Sequence, residues 1–155
     1  MVTEDQPLIV VGVDGSEVSI EALRWAARYA ELIGAVLRVV TAWRLPRSYG
    51  DLPDYPDVDF AAAARETLDS AITAVLGPTH RLSVEARVEE GHPAPVLLAA
   101  AHHADLLVVG SRGHGAFVGM LLGSTAQHCV HHAPCPVLVV RPQRRSCSSS
   151  APARS

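Results

Sequence analysis

Five short apolar runs recur along the chain, and four segments with helical spacing separate them. The runs are "LIVVGV" (Leu8–Val13), "AVLRVVTA" (Ala35–Ala42), "LSVEARV" (Leu82–Val88), "DLLVVG" (Asp105–Gly110) and "PVLVVR" (Pro136–Arg141). Short continuous runs rich in β-branched residues suit strands buried on both faces. Only "LSVEARV" alternates apolar with polar residues, as expected of a strand nearer a sheet edge. Ser16 can cap the first helix, with Glu17 in its first turn; Ile20, Leu23, Ala27 and Ala30 recur at helical spacing and Gly34 stops it. "DFAAAARETLDSAITAVLG" (Asp59–Gly77) reads as a second helix, closed by Gly77-Pro78. "GHPAPVLLAAAHH" (Gly91–His103) reads as a third, with Pro93 and Pro95 confined to the first turn, where a missing N–H costs little. "STAQHCVHHA" (Ser124–Ala133) reads as the fourth.

Strands that alternate with helices imply a parallel sheet covered on both faces. The expectation is one doubly wound α/β domain over residues 7–141, with an extension at 1–6 and a Ser/Arg-rich disordered tail at 142–155. In such sheets ligands sit beyond the C-terminal strand ends, where strand order reverses. That favours "GVDGS" after the first strand and the glycine-rich "GSRGHGAFVGMLLGST" (Gly110–Thr125) after the fourth. The Trp43–Asp57 segment, with three prolines, reads as a long loop. Its Trp43, Tyr49 and Tyr55 suit either a lid or a self-packed loop.

Charge excludes some partners. Every basic residue is Arg; ten arginines face sixteen acidic residues in 1–141, a net −6, and the other three lie in 142–155. An acidic body gives no electrostatic footprint for nucleic acid. No apolar run reaches the ~18 residues of a membrane span, and the polar "MVTEDQP" start does not read as a secretory signal. Cys129, Cys135 and Cys147 are odd in number and form no CxxC pair, which fits a reduced, cytoplasmic setting.

Two familiar nucleotide motifs fail on named residues. "GMLLGST" is one residue short of a P-loop and lacks its Lys. "GHGAFVG" approximates a dinucleotide fingerprint but follows the fourth strand instead of the first. A phosphate-accepting receiver domain is expected to carry a Lys near its site, and this chain has none. What remains is looser: Gly110, Gly113 and Gly123 let backbone N–H groups converge on an anion. Ser124 and Thr125 open the fourth helix, whose N-terminus favours phosphate, and Arg112 could add a full charge. A ligand-free account stands beside this one, because Ser124-Thr125-Ala126-Gln127 fits a capping box.

The spacing Gly110-x-x-Gly113, nine residues, Gly123-Ser124 resembles the G-2x-G-9x-G-[ST] signature of ATP-binding universal stress proteins. "VVGVDGS", "GHPAPVLLAAAHHADLLVVGSRG" and "HHAPCPVLVVR" resemble the same family in order and spacing, over about residues 7–141. The resemblance implies a Rossmann-like doubly wound sandwich, a five-stranded parallel sheet of order 3-2-1-4-5 with four helices on both faces. It implies that ATP, with Mg²⁺ as its companion, binds at Asp14, Ala42, Gly110, Arg112, Gly113, Gly123, Ser124 and Thr125. Asp14 would stand beside the ribose or a phosphate-bound Mg²⁺, a hard cation suited to carboxylate oxygen; Asp14-Gly15 also reads simply as an Asx turn. Ala42 would offer its backbone to adenine. The last strand, Val137–Val140, would pair across a twofold axis to make a homodimer; cover by the tail is the other way to hide that edge.

The expected function is ATP binding in a regulatory or stress-response role with little or no catalysis. A slow Mg-dependent ATP hydrolase is the alternative, since Asp14 and Arg112 supply part of what phosphoryl transfer needs. A dimeric scaffold with an empty site is another. An adenylating enzyme of similar architecture would want an S-G-G-x-D-S loop, which "GVDGSEVS" does not match. His128 and His132 are spaced i, i+4, but Ala126, Cys129, Val130 and Ala133 read as the helix's core stripe, so no metal site is expected there.

Overall fold

Ile9, Val10 and Val11 are each fully buried at the centre of the first strand, β1 (Leu8–Gly12), so both of its faces need cover. Their side chains alternate between two apolar layers: Ile9 and Val11 enter one, Val10 the other. The same division runs through β2 (Val36–Trp43), where Leu37 and Val39 oppose Val40, and through β4 (Leu106–Gly110), where Val108 opposes Leu107 and Val109. In the computed structural model, which describes residues 5–45, 58–113 and 121–143, these strands join β3 (Val84–Glu90) and β5 (Val137–Val140) in one parallel sheet. Its order is β3-β2-β1-β4-β5, as the family resemblance implies.

One face is covered by α1 (Glu17–Ile33) and α2 (Phe60–Leu76), the other by α3 (Pro93–Ala100) and α4 (Ser124–His132). Helix α1 places Ala22, Leu23, Ala26, Ala27 and Ala30 inward; the small residues let it lie close to the sheet. Ser16 caps it by accepting from the Ser19 N–H (3.3 Å), and Gly34 ends it with φ +69°, a left-handed turn that glycine takes without strain. The Asp59 carboxylate caps α2 by accepting from Ala62 N–H (2.9 Å). Across the β2–β3 pair Arg38 meets Glu85 at 2.8 Å and also donates to the Ala100 carbonyl (2.9 Å), tying the sheet to the end of α3.

Several boundaries differ from the sequence reading. β2 runs on to Trp43, which pairs in register with Glu90, and Trp43 O accepts from Gly91 N–H (2.8 Å), so Trp43 belongs to the sheet and not to the loop. β3 is displaced toward its C-terminal end because its partner β2 continues that far. Val130 is 48% exposed, so it is not part of the α4 core stripe; Ala126 and Cys129 carry it. Cys129 is fully buried, and burial, with a smaller contribution from the neighbouring Cys135 thiol, pushes its pKa up to about 11. Tyr49 and Tyr55, Gly115 and Gly119, residues 1–4 and the tail from 144 onward lie outside the described residues.

Candidate functional site

The sheet's order reverses between β1 and β4, and the loops leaving both strands diverge there. Between them opens a cavity of about 460 Å³, within the usual range for small-molecule sites. All eight residues named above line it. Asp14 arrives from the loop after β1, and Ala42 from the end of β2. Gly110, Arg112 and Gly113 come from the turn after β4, and Gly123, Ser124 and Thr125 from the start of α4. Gly12 and Val13 come from the favoured "GVDGS" loop, whereas the sequence reading missed Ser19 and the apolar lining of Val40, Pro93, Leu97, Val109 and Ala126. Leu97 presses on the strand end there: a Cβ on Gly12 would come within 2.8 Å of Leu97 Cδ1.

Asp14 serves two parts of the site at once. Its Oδ1 accepts from the Ser16 backbone N–H (2.9 Å) and from the Ser16 hydroxyl, an Asx turn that fixes the start of α1. Gly15 takes φ +85° inside this turn, a conformation that favours glycine. Asp14 Oδ2 lies across the cavity against Gly113, where an added Cβ would approach to 2.8 Å. The turn contact and the oxygen beside Gly113 are therefore two ends of one carboxylate.

The capping-box expectation is overturned. Gly123 is the N-cap of α4, Ser124 is the first helical residue, and no side chain among the described residues caps the helix. The reason is a non-local contact: Gly123 N–H donates to the Ser111 carbonyl at 2.6 Å, which sets the helix start one residue earlier. The first-turn N–H groups of a helix have no intrahelical partner. In α1 and α2 a side chain takes up part of that deficit, and in α3 prolines at 93 and 95 remove two of the donors. Helix α4 keeps its donors and its positive dipole end, and both open into the cavity through Ser124 and Thr125. Arg112 is the one basic residue among the described lining residues.

Apolar walls on one side, glycines and an uncapped helix start on the other, and a carboxylate at the switch point describe a Rossmann-like α/β protein with a small-molecule cleft. Within that class the chain belongs to the universal stress protein family, which its residues 8–141 match. A universal stress protein of Mycolicibacterium smegmatis is 36% identical over 139 residues, covering 85% of this chain but 47% of that protein. The chain thus spans about half the length of the curated relatives it first matches. A universal stress protein crystallised in complex with cAMP is 34% identical, with a TM-score of 0.57, covering 86% of this chain and 95% of that one. A universal stress protein of Archaeoglobus fulgidus in complex with dAMP is 25% identical, with a TM-score of 0.62, covering 87% of this chain and 97% of that one.

Proposed function

We propose that the cavity binds an adenine nucleotide, ATP with Mg²⁺, and that the protein acts by holding it rather than by turning it over. The observation that carries this reading is the uncapped start of α4 opening onto Gly110, Gly113 and Gly123 in one cavity with Asp14 and Arg112. Backbone N–H groups there suit phosphate oxygens. The apolar side, with Leu97, Val40 and the Ala42 strand end, suits a purine ring. The Asp14 carboxylate, whose Oδ2 lies beside Gly113, is the kind of oxygen group that a phosphate-bound Mg²⁺ prefers. The cAMP and dAMP bound by related proteins support the adenine nucleotide class. Phosphoryl transfer needs a positioned base as well as charge stabilisation, and Asp14 already spends one oxygen on the turn that starts α1.

The test is to purify the protein gently, denature it and identify the nucleotide released. One adenine nucleotide per chain is expected, and Mg-ATP is expected to raise the melting temperature of stripped protein. A protein that releases none and whose melting temperature ignores millimolar Mg-ATP would leave the cavity without this function.

The same reading includes a homodimer through β5. The two edges of the sheet differ in kind: β3 carries Glu85, Arg87, Glu89 and Glu90, whereas β5 reads "VLVV" with Leu138 37% exposed. Charges blunt an edge strand, and an apolar edge invites pairing. Leu138→Glu is expected to convert a dimer to a monomer in sedimentation or light scattering. A monomeric parent protein would refute the pairing outright.

A further inference from the structure

The C-terminal half of α4 holds an arrangement that nucleotide binding does not use. His128 and His132, where the sequence alone led to no expected metal site, are both exposed, one helical turn apart, with ring centroids 4.6 Å apart and planes tilted by 44°. Neither ring hydrogen-bonds any other group among the described residues, and neither is buried, so packing does not account for their pairing. We propose that His128 and His132 form a two-imidazole chelate for a borderline transition-metal dication such as Zn²⁺, with water completing the coordination.

Three physical points carry the proposal. Residues i and i+4 share a helix face, so both exposed imidazoles can be turned toward one point in solvent. Zn–N bonds of ~2.0–2.1 Å bring two ligating nitrogens to roughly 3 Å, which rings already this close reach by side-chain torsion without moving backbone. Through His132 the site also reaches the last turn of α4, where the helix dipole favours a cation. Among the described residues no third His, Cys, Asp or Glu completes a protein-only cage, which is why water fills the rest. Imidazole suits Zn²⁺ and Ni²⁺, whereas Mg²⁺ prefers oxygen ligands, so this site and Asp14 select different ions.

His102 and His103 provide the internal control. Their rings also approach, at 4.5 Å, but as sequence neighbours just past α3. They lie in a turn and their rings meet edge to face at 63°, an arrangement that differs from the tilted pair on α4.

Chelator-stripped full chain is titrated with ZnCl₂ by calorimetry, with NiCl₂ and MgCl₂ in parallel, and its imidazole resonances are followed by NMR. One Zn²⁺ per chain is expected, Mg²⁺ leaves the histidines unmoved, and two imidazoles shift on Zn²⁺ addition. The His128→Gln/His132→Gln variant is expected to bind Zn²⁺ more than about tenfold more weakly, the lower end of what even an outer-shell partner contributes. Its circular dichroism should match the parent, since both side chains are exposed and Gln is a good helix former. A His102→Gln/His103→Gln variant should bind as the parent does. Absence of saturable Zn²⁺ binding, unchanged affinity in the first variant, or loss confined to the second overturns the proposal.

Discussion

Replacing Gly123 by glutamate is expected to empty the cavity of nucleotide while leaving the sheet folded. A Cβ at this position would lie 3.3 Å from Arg112 Cα, 3.4 Å from the Ser111 carbonyl oxygen and 3.6 Å from Gly113 N. All three are backbone atoms and cannot turn aside as a side chain would. The φ of −71° is open to any residue, so closeness of two backbones and not torsion favours the glycine. A side chain here pushes the 111–113 turn away from the first turn of α4, separating the two groups of donors that face the cavity. The glutamate carboxylate also competes for the helix start, where negative charge is favourable. That same attraction supports the helix, so the variant loses its ligand without losing its fold. Ligand at a hundredfold excess over its dissociation constant contributes about 2.7 kcal/mol, or roughly 5–10 °C in melting temperature for a chain of this size. The variant should release no nucleotide and show no Mg-ATP shift; a folded variant that keeps the full shift would place the phosphates elsewhere.

Leu107→Ala carries the largest expected loss of stability. Leu107 is fully buried in β4, paired with Val10 of β1 on one side and Val137 of β5 on the other. Its side chain fills the layer beneath α3 and α4 together with Val10, Leu97, Ala126 and Cys129. Truncation removes transfer free energy and leaves a void that neighbours on a central strand cannot close, a cost of about 2–5 kcal/mol. Leu121→Ala, at a position 79% exposed, is expected to change stability by less than about 0.5 kcal/mol. Urea unfolding of both variants measures the contrast. A Leu107→Ala loss below about 1 kcal/mol would mean that the layer is not closely packed there.

The five apolar runs announced the strands because burial on both faces leaves a continuous apolar signature. Local residues likewise announced the Ser16, Gly34 and Gly77 helix ends, which depend on neighbours a few positions away. The order 3-2-1-4-5 was not legible in the runs themselves, since they carry no pairing information; it came with the family resemblance. In the site, motif spacing picked out polar and glycine positions. Leu97, Val40 and Val109 escaped because each reads as ordinary core until strand order shows which strand ends border the opening. The start of α4 at Ser124 was legible, but the capping box read there does not form, for a related reason. Ser124-x-x-Gln127 is locally consistent with a cap, and a hydrogen bond to Ser111, twelve residues upstream, decides the matter.

The two layers of the sandwich are unequal. Among the described residues, fifteen form the buried cluster on the α1/α2 side and eight the cluster on the α3/α4 side. Helices α1 and α2 have 17 residues each, whereas α3 has 8 and α4 has 9, lengths that do not persist alone in water. Backbone amides should therefore exchange with deuterium at different rates on the two faces, slowly in α1 and the central strands, faster in α3 and α4. The faster half contributes Pro93, Leu97, Ser124, Thr125 and Ala126 to the cleft wall. A bound ligand would then be read most sensitively as slowed exchange along α4, a change in how often that layer opens.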